Sequence, residues 1–338
     1  MGEPRPRFWR RSPAVWPLAG LLLLLAVNVA DGLREGRNFL SVTLQDGRLV
    51  SPVIDIVKNG SYGLVLALGM TLVIATGGID LSVGTVMAVA GGWAARLLLD
   101  GHGAATAVMA ALAAALACGL VNGLLVAGAR IQPIVATLVM MVAGRGLAQL
   151  LTGGKVVQIP PGGFQWMGHG LIAGLPVAPL LVTALYLVTW AGLRRSAAGL
   201  FLEAAGDNPT ASRFAGLATG RVRCLAYVGC GVCAGLAGLI KISDIGSADP
   251  FGMGSTMELD AIFAVVVGGT ALSGGRLCLL GSFFGALLLQ TLTVTMFYLG
   301  VPSAVAPVPK AVVIIAACLA QSETTRRWFA RLKPGRAA

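Results

Sequence analysis

Charge is scarce in this sequence. Asp, Glu, Lys and Arg make up only 12% of its 338 residues, against about 25% in a typical soluble domain. Hydrophobic residues reach 56%, and mean hydropathy is +0.83. That balance excludes a soluble globular fold. Histidine is almost missing. His102 and His169 sit in short glycine-flanked loops without a partner nearby in sequence, so they read as ordinary loop residues. Catalytic signatures are missing as well: there is no G-x-S-x-G, no H-E-x-x-H and no carboxylate pair joined to a histidine. The nearest approach to a phosphate loop is Gly153-Gly154-Lys155. Val156 stands there in place of a magnesium-binding Ser or Thr, and the upstream glycine is absent. The chain therefore reads as a non-enzyme that does not hydrolyse ATP itself, with neither cofactor nor metal. Acidic residues are few, 14 against 25 basic ones, for a net charge of +11. Nucleic acid is excluded as a partner by where the bases lie. They gather in the N-terminal tail (Arg5, Arg7, Arg10, Arg11), in a central stretch, and in the C-terminal tail (Arg326, Arg327, Arg331, Lys333, Arg336). Charge placed that way orients a membrane protein toward the cytoplasm and anionic lipid.

What the chain does have is long apolar runs. Several reach the roughly 20 residues that cross a bilayer, so the fold class is an all-α polytopic membrane protein. The runs predict about ten transmembrane helices, within a range of eight to ten. They cover 15–30, 53–76, a third run ending near 99, 104–127, 133–151, 176–193, 222–240, a short one at 258–269, one ending near 299, and a last one ending near 321. The first run lacks a cleavage site after it and reads as a retained helix. Segments 152–175 and 243–256 read as external loops, the first irregular and rich in Pro and Gly. An even number of spans with both termini inside places most of the basic residues in the cytoplasm. The division expected is a single domain over 1–338: basic tails at 1–14 and 322–338, a bundle at 15–321, and a cytoplasmic loop at 194–223.

Forty-seven glycines suit close helix packing. Gly119/Gly123, Gly231/Gly235 and Gly281/Gly285 have the four-residue spacing and read as packing positions. Cys230 and Cys233 form a C-x-x-C with no second pair and no nearby histidine, and also read as small-residue packing.

The longest interior polar interruption is RRSAAGLFLEAAGDNPTASRFAGLATGRVR, residues 194–223. Residues 200–205 have helical composition. Asn208-Pro209 is a turn or helix-start signal, and 210–217 could form a second short helix. An ordered polar platform of that kind suits docking of a soluble partner as well as it suits a solvated connector. A second pattern pairs GGIDLSVG at 77–84 with GGTALSGG at 268–275. The shared G-G-x-x-L-S-x-G suggests two related halves, as in many transporters. Ionisable residues in the runs are few: Asp80, Arg145, Glu258, Asp260 and Lys310. No row of them suggests a proton relay. Asp80 and Ser82 lie in a glycine-rich break, where they could line a cavity or cap the next helix. Asn122, Thr137, Gln149, Gln290 and Thr293 supply uncharged hydrogen-bonding groups to a translocation pathway or to neighbouring helices.

The stretch 69–92, GMTLVIATGGIDLSVGTVMAVAGG, resembles the membrane permeases of sugar-importing ABC transporters, the ribose-type group. The resemblance continues through IQPIVATLVMMVAGRGLAQLLTGG, FLEAAGDNPTASRFAGL and MELDAIFAVVVGGTALSGGRLCLLGSFFGALLLQ, and covers about 44–322. LQDGRLVSPVIDI, VAGRGLAQL and AAGLFLEAAG look most like the galactofuranose importer permeases. Two positions depart from the common pattern: Leu200 stands where many members carry Arg, a feature shared with the galactofuranose-like ones, and Asp207 stands where many carry Gly.

The resemblance implies an importer built from two permease chains, in a homodimer or heterodimer. A cytoplasmic ATPase subunit with two ABC modules docks on both, and a periplasmic sugar-binding protein delivers a monosaccharide, galactofuranose or a pentose. It implies the cytoplasmic (inner) membrane as location and makes 194–223 the coupling segment. Phe201, Glu203, Gly206, Asn208, Arg213, Phe214 and Gly216 are then the expected contacts to the ATPase, with Phe201 and Phe214 as apolar anchors and Glu203 and Arg213 at the rim. Asp80, Ser82, Asn122, Thr137, Gln149, Gln290 and Thr293 are the expected pathway residues. The alternative function is an ion-coupled secondary transporter of a small solute. It needs membrane-embedded charge pairs, which this sequence offers sparingly.

Overall fold

The computed structural model describes residues 14–34, 36, 38–45, 47–302, 305 and 307–321. The basic tails expected at 1–14 and 322–338 lie outside them, apart from Ala14. Seven helices are long and apolar enough to cross a membrane: α1 (Val15–Arg34), α2 (Pro52–Ala75), α4 (Ala104–Gly123) with a π-helical turn at Leu124–Gly128, α5 (Pro133–Thr152), α7 (Val177–Arg195), α10 (Thr219–Ile245) and α12 (Leu279–Tyr298). Three more apolar helices are shorter: α3 (Val83–Leu99), α11 (Met257–Val267) and α13 (Pro307–Gln321). The connections hold the small helices α6 (Trp166–His169), α8 (Ala198–Asp207) and α9 (Pro209–Phe214). They also hold three two-stranded antiparallel ribbons: β1 (Thr43–Gln45) with β2 (Arg48–Val50), β3 (Val157–Gln158) with β6 (Ser247–Ala248), and β4 (Leu171–Ile172) with β5 (Leu175–Pro176).

The ends of these helices follow local rules. Proline starts α2, α5 and α9, where its missing N–H costs nothing. Gly153 and Gly246 close α5 and α10 in the left-handed conformation. The polar segment after α1 holds the β1–β2 ribbon. Asp244, expected in a loop, is on α10, which runs past Ile240 to Ile245.

Helices α2, α3, α10 and α12 form the interior and are buried along most of their length. α1, α4, α5 and α7 are buried over only 22% of theirs. Small residues let the inner helices touch. A Cβ on Gly119 would meet the backbone of α10 at Tyr227 and Gly231, and one on Gly231 would meet Ala115 and Gly119. Gly281 and Gly285 pack in the same way against Gly268 and Ala264 of the α11 region. Cys230 and Cys233 are free and buried, with Gly69 of α2 pressed against both. The four-residue glycine spacings and the C-x-x-C are packing features, as their sequence context implies.

Two short helices explain the irregular chain around them. α3 spans 17 residues and α11 spans 11, about 26 and 16 Å at 1.5 Å per residue. Neither crosses a bilayer alone, so the chain before each must enter the bundle. The buried glycines Gly84, at the start of α3, and Gly254, just before α11, pack backbone to backbone. The first turns of both discontinuous helices therefore meet inside the protein.

Candidate functional site

The α2–α3 break is the first element of the site. α2 ends at Ala75, Gly77 turns the chain with φ +77°, and α3 begins at Val83. Asp80 lies between, 1% exposed. One carboxylate oxygen accepts from the Ser82 N–H at 2.8 Å and from the Ser82 hydroxyl at 2.6 Å. Asn122 Nδ2 of α4 donates to Ser82 Oγ at 2.8 Å. The Tyr227 hydroxyl donates to the Ile79 carbonyl at 3.3 Å. Asp80 therefore folds the break back on itself in an Asx-type turn, and Asn122 ties the turn to α4. Among the described residues no Lys or Arg pairs with Asp80. Both Asp80 and Ser82 face protein rather than lipid. The capping expected at α3 is indirect: Asp80 grips the N–H of Ser82, the residue before the helix, and Ser82 makes no cap hydrogen bond of its own. The Asn122 Oδ1 is buried without a hydrogen-bond partner among the described residues.

The other expected pathway residues divide. Thr137 is fully buried at the same break: its hydroxyl donates to Pro133 O at 2.9 Å and reaches Ile79 O at 3.5 Å. Gln290 and Thr293 line a separate cleft of about 130 Å³ among α2, α11, α12 and α13. Lys310 and Asp260 share that cleft, paired at 3.0 Å. Thr293 already donates to Leu289 O, 2.9 Å away on its own helix. Gln149 is half-buried on α5 and, among the described residues, shares no hydrogen bond with either group. The seven residues do not form one pathway surface within a single chain.

The second break lies at 268–278, between α11 and α12, and it touches the first. The Gly275 N–H donates to the Ala75 carbonyl at 3.0 Å. A Cβ on Gly274 would come within 2.7 Å of the Gly77 nitrogen and 3.0 Å of Gly206 Cα. The two matching glycine motifs thus meet in space, and α8 of the central loop meets them both.

The central loop is ordered, as its composition implies. α8 and α9 are separated by Asn208, whose Oδ1 accepts from Ala211 N at 2.9 Å and caps α9. Gly216 turns the chain out of α9 with φ +86°. Three of the expected contacts to a partner also have bonds or close contacts within the chain, and of these Arg213 is exposed. Glu203 Oε1 accepts from the Leu277 N–H at 2.9 Å. Gly206 is buried, and a Cβ there would collide with the Ala75 carbonyl and the Gly275 nitrogen. Arg213 Nε donates to Thr219 Oγ1 at 2.9 Å. Sequence cannot separate such fastenings from rim contacts, because both use polar residues and glycine. The exposed side chains of the loop include three large apolar ones, Phe214 at 90%, Leu200 at 67% and Phe201 at 42%, beside the exposed Asp207, Asn208 and Arg213.

Sequence reasoning missed what Arg145 and Lys58 do. Arg145 Nη1 donates to Pro250 O at 3.1 Å and Met253 O at 2.8 Å, clasping the segment before α11 to α5. Lys58 of α2 pairs with Asp244 of α10 at 2.8 Å. The available signal was the rarity of charge in apolar runs.

Residues 53–318 match the family described as branched-chain amino acid transport system / permease component. Among curated relatives, the galactofuranose transporter permease protein YtfT of Escherichia coli (strain K12) is 43% identical over 310 residues, 91% of each chain. The fructose import permease protein FruF of Bifidobacterium longum (strain NCC 2705) is 37% identical over 334 residues, 96% of this chain and 92% of the other. The ribose import permease protein RbsC of Escherichia coli (strain K12) is 38% identical over 278 residues, 81% of this chain and 86% of the other. No solved structure matches the chain.

Proposed function

We propose, on the premise that this chain belongs to the branched-chain amino acid transport system / permease component family, that it is the transmembrane subunit of an ATP-driven importer of a monosaccharide. It is a multi-pass protein of the inner membrane and a permease rather than an enzyme. The relatives' names concern galactofuranose, fructose and ribose, all monosaccharides, which supports a sugar over an amino acid. Galactofuranose is the first candidate and a pentose the second. ATP is hydrolysed by a separate subunit with two ABC modules. A periplasmic binding protein delivers the sugar, and a second permease chain completes the pathway. Both termini and the α8–α9 platform face the cytoplasm.

One observation carries the coupling half of this reading. α8 and α9 form an ordered platform that leaves Phe214 bare while Gly206 and Glu203 lock it to both glycine breaks. A push on such a platform reaches the entrances to α3 and α12 without a flexible link. Asp80, Ser82, Asn122 and Thr137 then act as the braces that transmit it. Gln290 and Thr293 are the chain's contribution to the sugar's path.

Uptake of labelled galactofuranose, ribose, fructose and leucine in cells with and without the gene tests the reading. Loss of a monosaccharide uptake that also needs the ATPase supports it. Loss of leucine uptake alone overturns it. Uptake that survives removal of the ATPase but collapses with the ion gradient favours the secondary-transporter alternative.

A further inference from the structure

A groove of about 370 Å³ opens between the end of α7 and the start of α12. Its walls include Trp190, Leu193 and Arg194 of α7, Leu200 and Glu203 of α8, and Leu280 of α12. The apolar walls belong to the terminal turns of two membrane-long helices, so the groove lies at the membrane boundary. The Arg194 guanidinium stands over the Trp190 ring, 5.2 Å from its centre. Arg194, Arg195 and Arg276 are all exposed at this end of the protein, and among the described residues none forms an ion pair. Glu203 is the one carboxylate in the groove wall, and its Oε1 already accepts from Leu277 N–H.

From this geometry we propose that the groove holds an anionic phospholipid, with its phosphate on Arg194 and an acyl chain against Leu193, Leu280 and Trp190. Tryptophan at the interface beside arginine is the arrangement that suits a headgroup above and a hydrocarbon below. Basic charge at the mouth selects anionic over zwitterionic lipid. The cation–π contact holds the guanidinium in place before the lipid arrives. Leu200 and Glu203 belong both to the groove and to α8, so the bound lipid supports the platform from its membrane side.

The test is native mass spectrometry of the purified full-length chain, with phosphatidylglycerol and phosphatidylcholine offered in equal amounts. The wild type should retain phosphatidylglycerol preferentially. Arg194→Gln should reduce that retention about fivefold, the worth of one basic residue at a charged surface. Leu280→Trp fills the groove from an exposed position and should reduce it as well, while the thermal midpoint and the low phosphatidylcholine retention of both variants should match wild type, which guards against a folding artefact. Wild-type retention of phosphatidylglycerol in either variant, equal retention of the two lipids by the wild type, or displacement of the lipid by added ATPase subunit would each overturn the assignment.

Discussion

Glu203 of α8 accepts the backbone N–H of Leu277 across 2.9 Å, joining the central loop to the chain that starts α12. The same helix touches the end of α2 through Gly206. One short amphipathic element thus holds both glycine breaks, and the transmitter role proposed for it rests on that double attachment.

Glu203 separates an internal acceptor from a charge offered to a partner. Glu203→Gln keeps a carbonyl oxygen for Leu277 and should leave uptake near normal. Glu203→Ala leaves a half-buried N–H unpaired, a loss of about 1–3 kcal/mol, and should lower uptake and the thermal midpoint together. If Glu203→Gln fails as badly as Glu203→Ala, the charge itself matters and the internal role is wrong.

Gly206→Val should reduce the amount of folded permease, since its side chain would occupy the space of the Ala75 carbonyl. Gly216→Ala meets no neighbouring atom and bears only the strain of φ +86°, about 1 kcal/mol. Thermal unfolding in detergent should rank Gly206→Val far below Gly216→Ala. The reverse order would refute the seat assigned to α8.

Asp80 tests the break. Asp80→Asn keeps the acceptor for Ser82 and removes an unpaired buried charge, so its thermal midpoint should equal or exceed wild type. Asp80→Leu strands the Ser82 N–H, costing about 1–3 kcal/mol, and should unfold earlier. A variant pair with identical midpoints would show that the Asp80–Ser82 turn does not hold the break.

Lys310 and Asp260 predict a double-mutant result. Lys310→Met leaves the Asp260 carboxylate in the cleft without its cation and should destabilise more than the combined Lys310→Met/Asp260→Leu change. In the same cleft, Gln290→Ala should lower sugar uptake without altering the thermal midpoint. Unchanged uptake in Gln290→Ala and Thr293→Ala would remove the cleft from the sugar's path.

Much of this architecture was legible in the sequence because membrane helices announce themselves by length and hydropathy. The central loop was legible too, through Asn208-Pro209 and the helical composition before it. The short helices α3 and α11 were harder: apolar content marks a run but not the depth at which a helix begins, and here a contact between Gly84 and Gly254 fixes that depth. The contacts within the chain were not legible for a related reason. Glu203, Gly206 and Arg213 have the composition of an interface, yet their partners, Leu277, Ala75 and Thr219, lie on their own chain. Which way a polar residue faces is decided by packing between segments far apart in sequence. The grouping of Asp80, Ser82 and Asn122, and the separation of Gln290 and Thr293 from them, are facts of that kind.

The most direct measurement is co-purification of the ATPase subunit with Phe201→Ala/Phe214→Ala permease. Both rings are exposed, so the change should leave the permease's thermal midpoint unaltered. If they anchor the ATPase, bound ATPase should fall by about thirtyfold or more, the weight of an interface hot spot, and ATP-driven sugar uptake should disappear with it. Full ATPase retention and normal uptake in this variant would contradict the coupling role assigned to the α8–α9 platform.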